Sequence, residues 1–500
     1  MSPGTGRSST GKRGYFLVMR SRSSLWAAAL LLAAAPLPAG QSIPLSLTPC
    51  SLPGVTVQAR CGVDSVSEHP GARGGRRLPL FVAVLPAREA PAAPDPLFVL
   101  AGGPGQAATS LAAFASTAFA AAWQHRDLVL VDLAGTGYSA SLDCQMYRTP
   151  KDLAGDFYPP ARVTACRDSL ARGADLTRYT TAVLVDDLDA VRAALGYERI
   201  NLYGTSYGSR AALVYLRRHG EHVRSVVLKA VAPPTMRGTM DYARDTEHAL
   251  RALFAACAAD SRCRNAFPRP ATELADILTR ADRGRLRGRV PDPAGGPAVL
   301  LPLSRGLVAS TLLGLLQNSN AAVRLPALVH AVYRGDTGPL VDEIVQYRRG
   351  LDAGLSFGMH LSVECSESAP RLDPLAAARN DRGTALGDYR VAQLARACRH
   401  WERGPVPADQ AAPVRSDVPV LLVSGGLDPN TPPHWAAEAA RTLSHATQVV
   451  IPTVAHGFSS VKECGAAFIA AFIAAASADG IDFSCSRTYP LPPFALSVAP

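Results

Sequence analysis

The stretch that decides the reading is RINLYGTSYGSR, residues 199–210. Its first five residues are strand-like, and the residues from Tyr207 to about 219 form an amphipathic helical pattern. Between them Ser206 sits with Gly204 and Gly208 two positions to either side. A G-x-S-x-G between a strand and a helix is the context in which a serine is held on a sharp turn with its hydroxyl above the sheet edge. The turn is tight enough to demand small residues at 204 and 208. The helix that follows aims its N-terminal amides at the site and favours negative charge there. Ser206 is therefore the candidate nucleophile.

Working outward, short apolar strands alternate with helices. Residues 97–100, 128–132, 199–203 and 223–228 read as strands, with helices over about 107–123, 181–195 and 207–219. Residues 45–87 read as a β-hairpin with strands at 55–59 and 78–85. The alternation stops near Pro233, and residues 235–414 are mostly helical with a loop-like stretch over 283–300. Sheet pattern returns at 418–425 and 447–451, with helices over about 433–443 and 460–477. This predicts an α/β fold with a mostly parallel sheet, helices on both faces and an inserted helical cap. The expected segments are a leader over 1–40, core over 41–234, cap over 235–414 and core again over 415–500.

A serine hydroxyl needs a base to take its proton, and the base needs an acid to fix its tautomer. His456, in Ala455-His456-Gly457, follows the strand at 447–451, and Asp428, in Gly426-Leu427-Asp428-Pro429, follows the strand at 418–425. The chain order Ser206, Asp428, His456 is that of an α/β-hydrolase. The acid can also follow the strand after the nucleophile helix, but that strand ends Leu228-Lys229-Ala230 and offers no carboxylate. Two N–H donors for an oxyanion are expected at Tyr207 and at the glycine turn 102–105, where Gly103 is the first choice and Gly105 the second.

The N-terminus reads as an export signal. Arg20 and Arg22 precede the apolar run 25–35, and small residues and prolines follow to Gln41. Residues 1–40 carry five basic and no acidic groups, so removing them leaves 46 basic against 41 acidic residues. That charge is diffuse, which excludes a nucleic-acid footprint. No other apolar run is long enough to span a bilayer. Export to the periplasm or medium lets the ten cysteines pair, and they fall in sequential couples whose connectivity the sequence leaves open. With no C-x-x-C and no H-x-x-x-H, neither metal nor other cofactor is expected. Ser459-Ser460-Val461-Lys462 matches S-x-x-K without its partner motifs, and Asp186-Asp187-Leu188-Asp189 reads as a solvated helix face.

Gly102-Gly103-Pro104-Gly105, Asp132 through Ser139 (DLAGTGYS), Gly204 through Gly208, Gly426 through Pro432 and His456-Gly457 together resemble the exported serine aminopeptidases of the prolyl iminopeptidase and tripeptidyl aminopeptidase group. The resemblance covers about residues 48–487 and is weakest in the insertion. It implies an α/β-hydrolase core, a helical cap over the site and removal of residues from peptide N-termini. Members commonly read D-Q-R-G-x-G-x-S where this chain has Leu133 and Ala134, which bears on substrate class rather than on the triad. An aminopeptidase must recognise a free ammonium, which a cap carboxylate can do. Val363-Glu364-Cys365-Ser366-Glu367 resembles a family segment of the form Cys-x-acid, giving Glu367 as the candidate and Glu364 as the reserve. The expected substrate is a short peptide. The alternative is a carboxylesterase acting on small acyl esters with the same triad, and a non-catalytic binding protein on this fold is disfavoured because all three triad residues are present.

Overall fold

A computed structural model describes residues 45–69, 75–457 and 461–498. The expected leader lies outside these residues, as do Ser459 and Ser460. The sheet has nine strands: β1 (Thr48–Cys50), β2 (Ala59–Ser67), β3 (Arg77–Leu85), β4 (Leu97–Leu100), β5 (Leu128–Val131), β6 (Ile200–Ser206), β7 (Val223–Val231), β10 (Val420–Gly425) and β11 (Ala446–Ile451), with β8 (Arg287–Val290) and β9 (Val299–Pro302) apart as a two-stranded pair. Their order is β1-β2-β3-β5-β4-β6-β7-β10-β11. The pairings β1/β2, β2/β3 and β3/β5 are antiparallel, and β5 through β11 pair in parallel. The crossing of β4 and β5, with β3 antiparallel beside them, makes this an α/β-hydrolase sheet.

Side-chain alternation sorts the strands into two cores. Phe98 and Leu100 of β4, Val129 and Val131 of β5, and Val420 and Leu422 of β10 pack on one face with the helices Thr181–Ala194 and Tyr207–His219. Leu97, Val99, Leu128, Leu130, Leu421 and Val423 pack on the other, against Trp123 and the helix Ala466–Ala475. Continuous apolar runs such as Leu128-Val129-Leu130-Val131 are what a strand covered on both faces requires.

Three expectations are corrected. The strand expected at 55–59 begins only at Ala59, because Pro53 and Gly54 (φ +72°) turn the chain and β1 pairs with the start of β2. The loop-like 283–300 contains β8 and part of β9, since Gly288 and Val290 bury alternate positions of an arginine-rich strand and Gly288 lies against Val341. The helix expected over about 460–477 is present, as a π-helical turn over Val461–Gly465 that continues into an α-helix over Ala466–Ala475. The Asp186–Asp189 face is not solvated, because the Tyr207–His219 helix packs on it. Asp187 is buried, Asp186 pairs with Arg218 and His219, and Asp189 accepts from Arg192 Nε at 2.6 Å and Tyr215 Oη at 2.7 Å and lies 3.0 Å from His222 Nδ1. His219 and His222 join Asp189 in one compact cluster, but the contacts to Arg192 and Tyr215 make it an ion-pair network. All ten cysteines pair with their sequence neighbours: Cys50–Cys61, Cys144–Cys166, Cys257–Cys263, Cys365–Cys398 and Cys464–Cys485.

Candidate active site

Ser206 is the last residue of β6 and immediately precedes the helix Tyr207–His219. Its φ of 55° and ψ of −123° lie where an L-residue is strained, a cost of order 1–3 kcal/mol that persists only if neighbours impose it. The neighbours do so by leaving no room. A Cβ at Gly204 would lie 2.3 Å from the Gly208 carbonyl oxygen, and one at Gly208 would lie 2.3 Å from the Leu100 carbonyl oxygen. The glycines are thus dictated by contact between β4, β6 and the first turn of the helix. Ser209 Oγ donates to the Ser206 carbonyl at 2.6 Å and fixes the turn from the helix side.

Asp428 follows β10 and is buried. Gly425 and Gly426 let this strand end close on the β11 end, since a Cβ at either would lie within 2.4 Å of the Val454 or Pro452 carbonyl oxygen. Asp428 Oδ1 accepts the N–H groups of Asn430 and Thr431, each at 2.9 Å, and Oδ2 accepts the Thr431 hydroxyl at 2.8 Å. His456 Nδ1 stands 2.8 Å from Oδ2 and 2.9 Å from Oδ1. Burial alone would push the Asp428 carboxyl up. The His456 ring, Lys229 and the Thr431 N–H together hold it well below the usual carboxylate range. An ionised Asp428 accepts from Nδ1–H, so the neutral imidazole keeps its Nε2 lone pair for a proton.

The loop carrying His456 is tied from two sides. Lys229 Nζ donates to the His456 carbonyl, and to that of Gly457 at 2.6 Å. From the cap, the Gly457 N–H donates to the Gln317 carbonyl at 2.7 Å and the Ala455 N–H to Ser319 Oγ at 3.0 Å. Lys229 is fully buried, and burial pulls its ammonium down to about 8 against the opposing pull of Asp428. A lone lysine in the apolar run 223–231 was the visible signal for this role.

Ser206 and His456 line one cavity of 360 Å³, with Gly102, Gly103, Glu364 and Arg390. Among the described residues no hydrogen bond joins Ser206 to His456. Such bonds are often long without substrate and tighten in the reacting complex. Gly103 (φ +105°) borders the cavity, and a Cβ at Gly102 would lie 3.3 Å from the Ser206 Cβ. Tyr207 opens the nucleophile helix, where an N–H has no partner within the helix. Gly105, the second choice of donor, is outside the lining and accepts the Ser356 N–H at 2.9 Å. The Pro104 carbonyl lies 3.1 Å from His360 Nδ1, and His360 Nε2 lies 2.8 Å from Tyr158 Oη. A carbonyl only accepts, so Nδ1 carries the proton and Tyr158 donates to Nε2. Burial, first of all, holds His360 below the ordinary imidazole value and keeps it neutral.

The two cap glutamates separate. Glu367 is buried outside the cavity lining: its oxygens accept Thr181 N–H at 2.6 Å, Thr181 Oγ1 at 2.9 Å and Gln410 Nε2 at 2.8 Å. Thr181 Oγ1 in turn meets Tyr207 Oη at 2.9 Å, so Glu367 braces the turn under Ser206. Glu364 lines the cavity, and its Oε2 is buried with no hydrogen-bond partner among the described residues. Sequence reasoning ranked these two the other way, because both lie in one short helical turn and only the packing separates them. It also missed Lys229, His360, Arg390 and the aromatic wall of Phe157, Tyr158, Tyr242 and Tyr347. In the DLAGTGYS segment Asp132 is structural, accepting from Thr109 N–H at 2.8 Å and Oγ1 at 2.9 Å and from the Tyr138 N–H at 3.1 Å.

Two families match this sequence. The one described as alpha/beta hydrolase fold matches residues 95–264, and the one described as TAP-like protein matches residues 383–485. The serine protease Hip1 of Mycobacterium tuberculosis is 26% identical over 304 residues, 56% of each chain. The tripeptidyl aminopeptidase of Streptomyces coelicolor is 31% identical over 153 residues, 27% of this chain and 28% of the relative. The chain thus aligns with about half the length, or less, of these curated relatives. Among solved structures, a proline iminopeptidase from Mycobacterium smegmatis is 17% identical, covering 83% of this chain and 98% of that chain with a TM-score of 0.39.

Proposed function

From a chain that belongs to the α/β-hydrolase family, with a TAP-like C-terminal part, we propose an exported serine aminopeptidase that removes residues from the free N-terminus of short peptides. Ser206 Oγ attacks the scissile carbonyl while His456 Nε2 takes its proton, and Asp428 holds the imidazolium. The N–H groups of Gly103 and Tyr207 receive the oxyanion. The proton passes from His456 to the departing amine, leaving an acyl-Ser206 ester. Water, deprotonated by His456, then releases the acid and restores the serine.

The observation that carries an aminopeptidase over an esterase is Glu364, a carboxylate in the Ser206 cavity with a buried oxygen that finds no hydrogen-bond partner among the described residues. A substrate ammonium is the partner such a group calls for. The names of the relatives agree with this reading. Export is supported by five disulfides, which form and persist in oxidising compartments, and among the described residues no helix is long and apolar enough to cross a membrane.

The test pairs labelling with a substrate panel. A fluorophosphonate probe should label the wild-type chain and leave Ser206→Ala unlabelled, with turnover in that variant down by about 10⁴-fold or more. Aminoacyl amides with a free amine should be cleaved and their N-acetyl counterparts should not. Equal cleavage of blocked and free substrates, or a preference for simple acyl esters, would replace the aminopeptidase by the carboxylesterase.

A further inference from the structure

A second charged side chain lines the same cavity. Arg390, on the helix Tyr389–Ala397, is 7% exposed and lines the cavity beside Ser206, His456 and Glu364. Its guanidinium carbon stands 3.6 Å from the centre of the Phe157 ring and 5.9 Å from that of Tyr242. Among the described residues it makes no hydrogen bond and no ion pair within 4 Å, and its Nε is buried without a partner. Arg348, also buried, lies over the same Phe157 ring at 5.0 Å and donates to Tyr147 Oη at 2.8 Å. It adds positive potential and no counter-charge.

Cation–π contact fixes where the Arg390 guanidinium sits, and no side chain among the described residues accepts from its N–H groups, of which Nε–H is buried. A buried guanidinium is costly unless something accepts from it, and its planar fork is shaped for a carboxylate. Glu364 lines the same cavity, yet the two are not within ion-pair distance among the described residues. One cavity thus holds an unpaired anion and an unpaired cation, kept apart.

We propose that Arg390 is the anion-receiving end of the substrate cavity, and that preferred substrates carry, besides the free amino terminus held by Glu364, a carboxylate that Arg390 binds. This rests on the aminopeptidase reading and adds a substrate class to it. The carboxylate comes either from an acidic side chain on the N-terminal residue or from the C-terminus of a very short peptide.

Two isosteric pairs separate these sources on the wild-type chain: glutamyl against glutaminyl p-nitroanilide, and Ala-Ala against Ala-Ala amide. A charge-assisted, desolvated contact predicts at least about a tenfold advantage in kcat/KM for the acidic member of one pair. In Arg390→Met that advantage should fall to about one, and in Arg390→Lys, which keeps charge but not the fork, it should be intermediate. The lysine variant and the wild-type ratios decide the matter if the methionine variant does not fold. Equal rates within both pairs, with neutral free-amine amides still cleaved, overturn the role of Arg390 and leave the aminopeptidase standing. If no free-amine amide is cleaved, calorimetry on Ser206→Ala with glutamic acid α-amide and with glutaminamide decides separately. Tenfold tighter binding of the acid, lost in Ser206→Ala/Arg390→Met, keeps the anion site while the peptidase falls. Equal affinities overturn the site as well.

Discussion

The two walls of the cavity are held by different physics. On the sheet side Ser206, Asp428 and His456 are placed by backbone. Glycines at 204, 208, 425 and 426 let carbonyls approach where no Cβ fits, and main-chain N–H groups hold the aspartate. On the cap side Glu364 and Arg390 are placed by side-chain packing, with Tyr158 of the core beside them, and among the described residues neither charge has a hydrogen-bond or ion-pair partner. The sheet wall is finished without a ligand, whereas the cap wall is not. Chemistry needs geometry fixed in advance, and recognition needs groups left waiting for the substrate.

The largest test of this contrast is Lys229→Met. Although its side chain lies under the sheet wall, it acts through the carbonyls of His456 and Gly457. Losing it should cut kcat about 10²-fold, the scale of a 1 Å misplacement, while KM changes little. A loss confined to KM would make the sheet wall less preset than described. A middle-sized effect comes from the two glutamates. Glu364→Gln should raise KM for free-amine amides about tenfold and leave the melting temperature unchanged. Glu367→Gln should do the reverse, lowering Tm by about 2–4 °C because a donor amide would face Thr181 and Gln410. Kinetics and thermal melts on both variants check this, and identical behaviour would erase the distinction between brace and anchor.

The smallest effect concerns the seam between the walls. Asp245, on the cap helix Tyr242–Ala259, accepts from Trp435 Nε1 of the core at 2.9 Å. Burial, and then its neighbour Asp241, push it up to about 7. The folded chain therefore keeps a proton there that the unfolded chain, titrating near pH 4, has released. Its contribution to stability is full below about pH 4 and is lost as pH rises through 7. Asp245→Asn should match the wild-type Tm at pH 4 and exceed it by a few degrees at pH 8. A difference independent of pH would refute the assignment.

The sheet wall was legible in the sequence, and the cap wall largely was not. Backbone constraints write themselves as glycines, and strand ends as apolar runs closed by small residues, so Ser206, Asp428 and His456 could be located from local pattern and chain order. That Ser206 and His456 line one cavity, with Asp428 against His456, follows from the parallel sheet, whose strand ends share one rim. Glu364 and Glu367 lie three residues apart, and which one faces the cavity depends on a single helical turn packed against Thr181. Arg390 looks like any helical arginine until Phe157, more than 230 positions earlier, is brought beneath it. The acidic run at 186–189 misled for the same reason, since its partners Tyr215, Arg218 and His219 sit on another helix.

The ties between Gln317 and Gly457, Ser319 and Ala455, Ser356 and Gly105, and His360 and Pro104 join the cap to both the loop carrying His456 and the glycine turn 102–105. A cap so stitched works as a turnstile and not as a hinged door, because swinging it wide would drag both of those segments along.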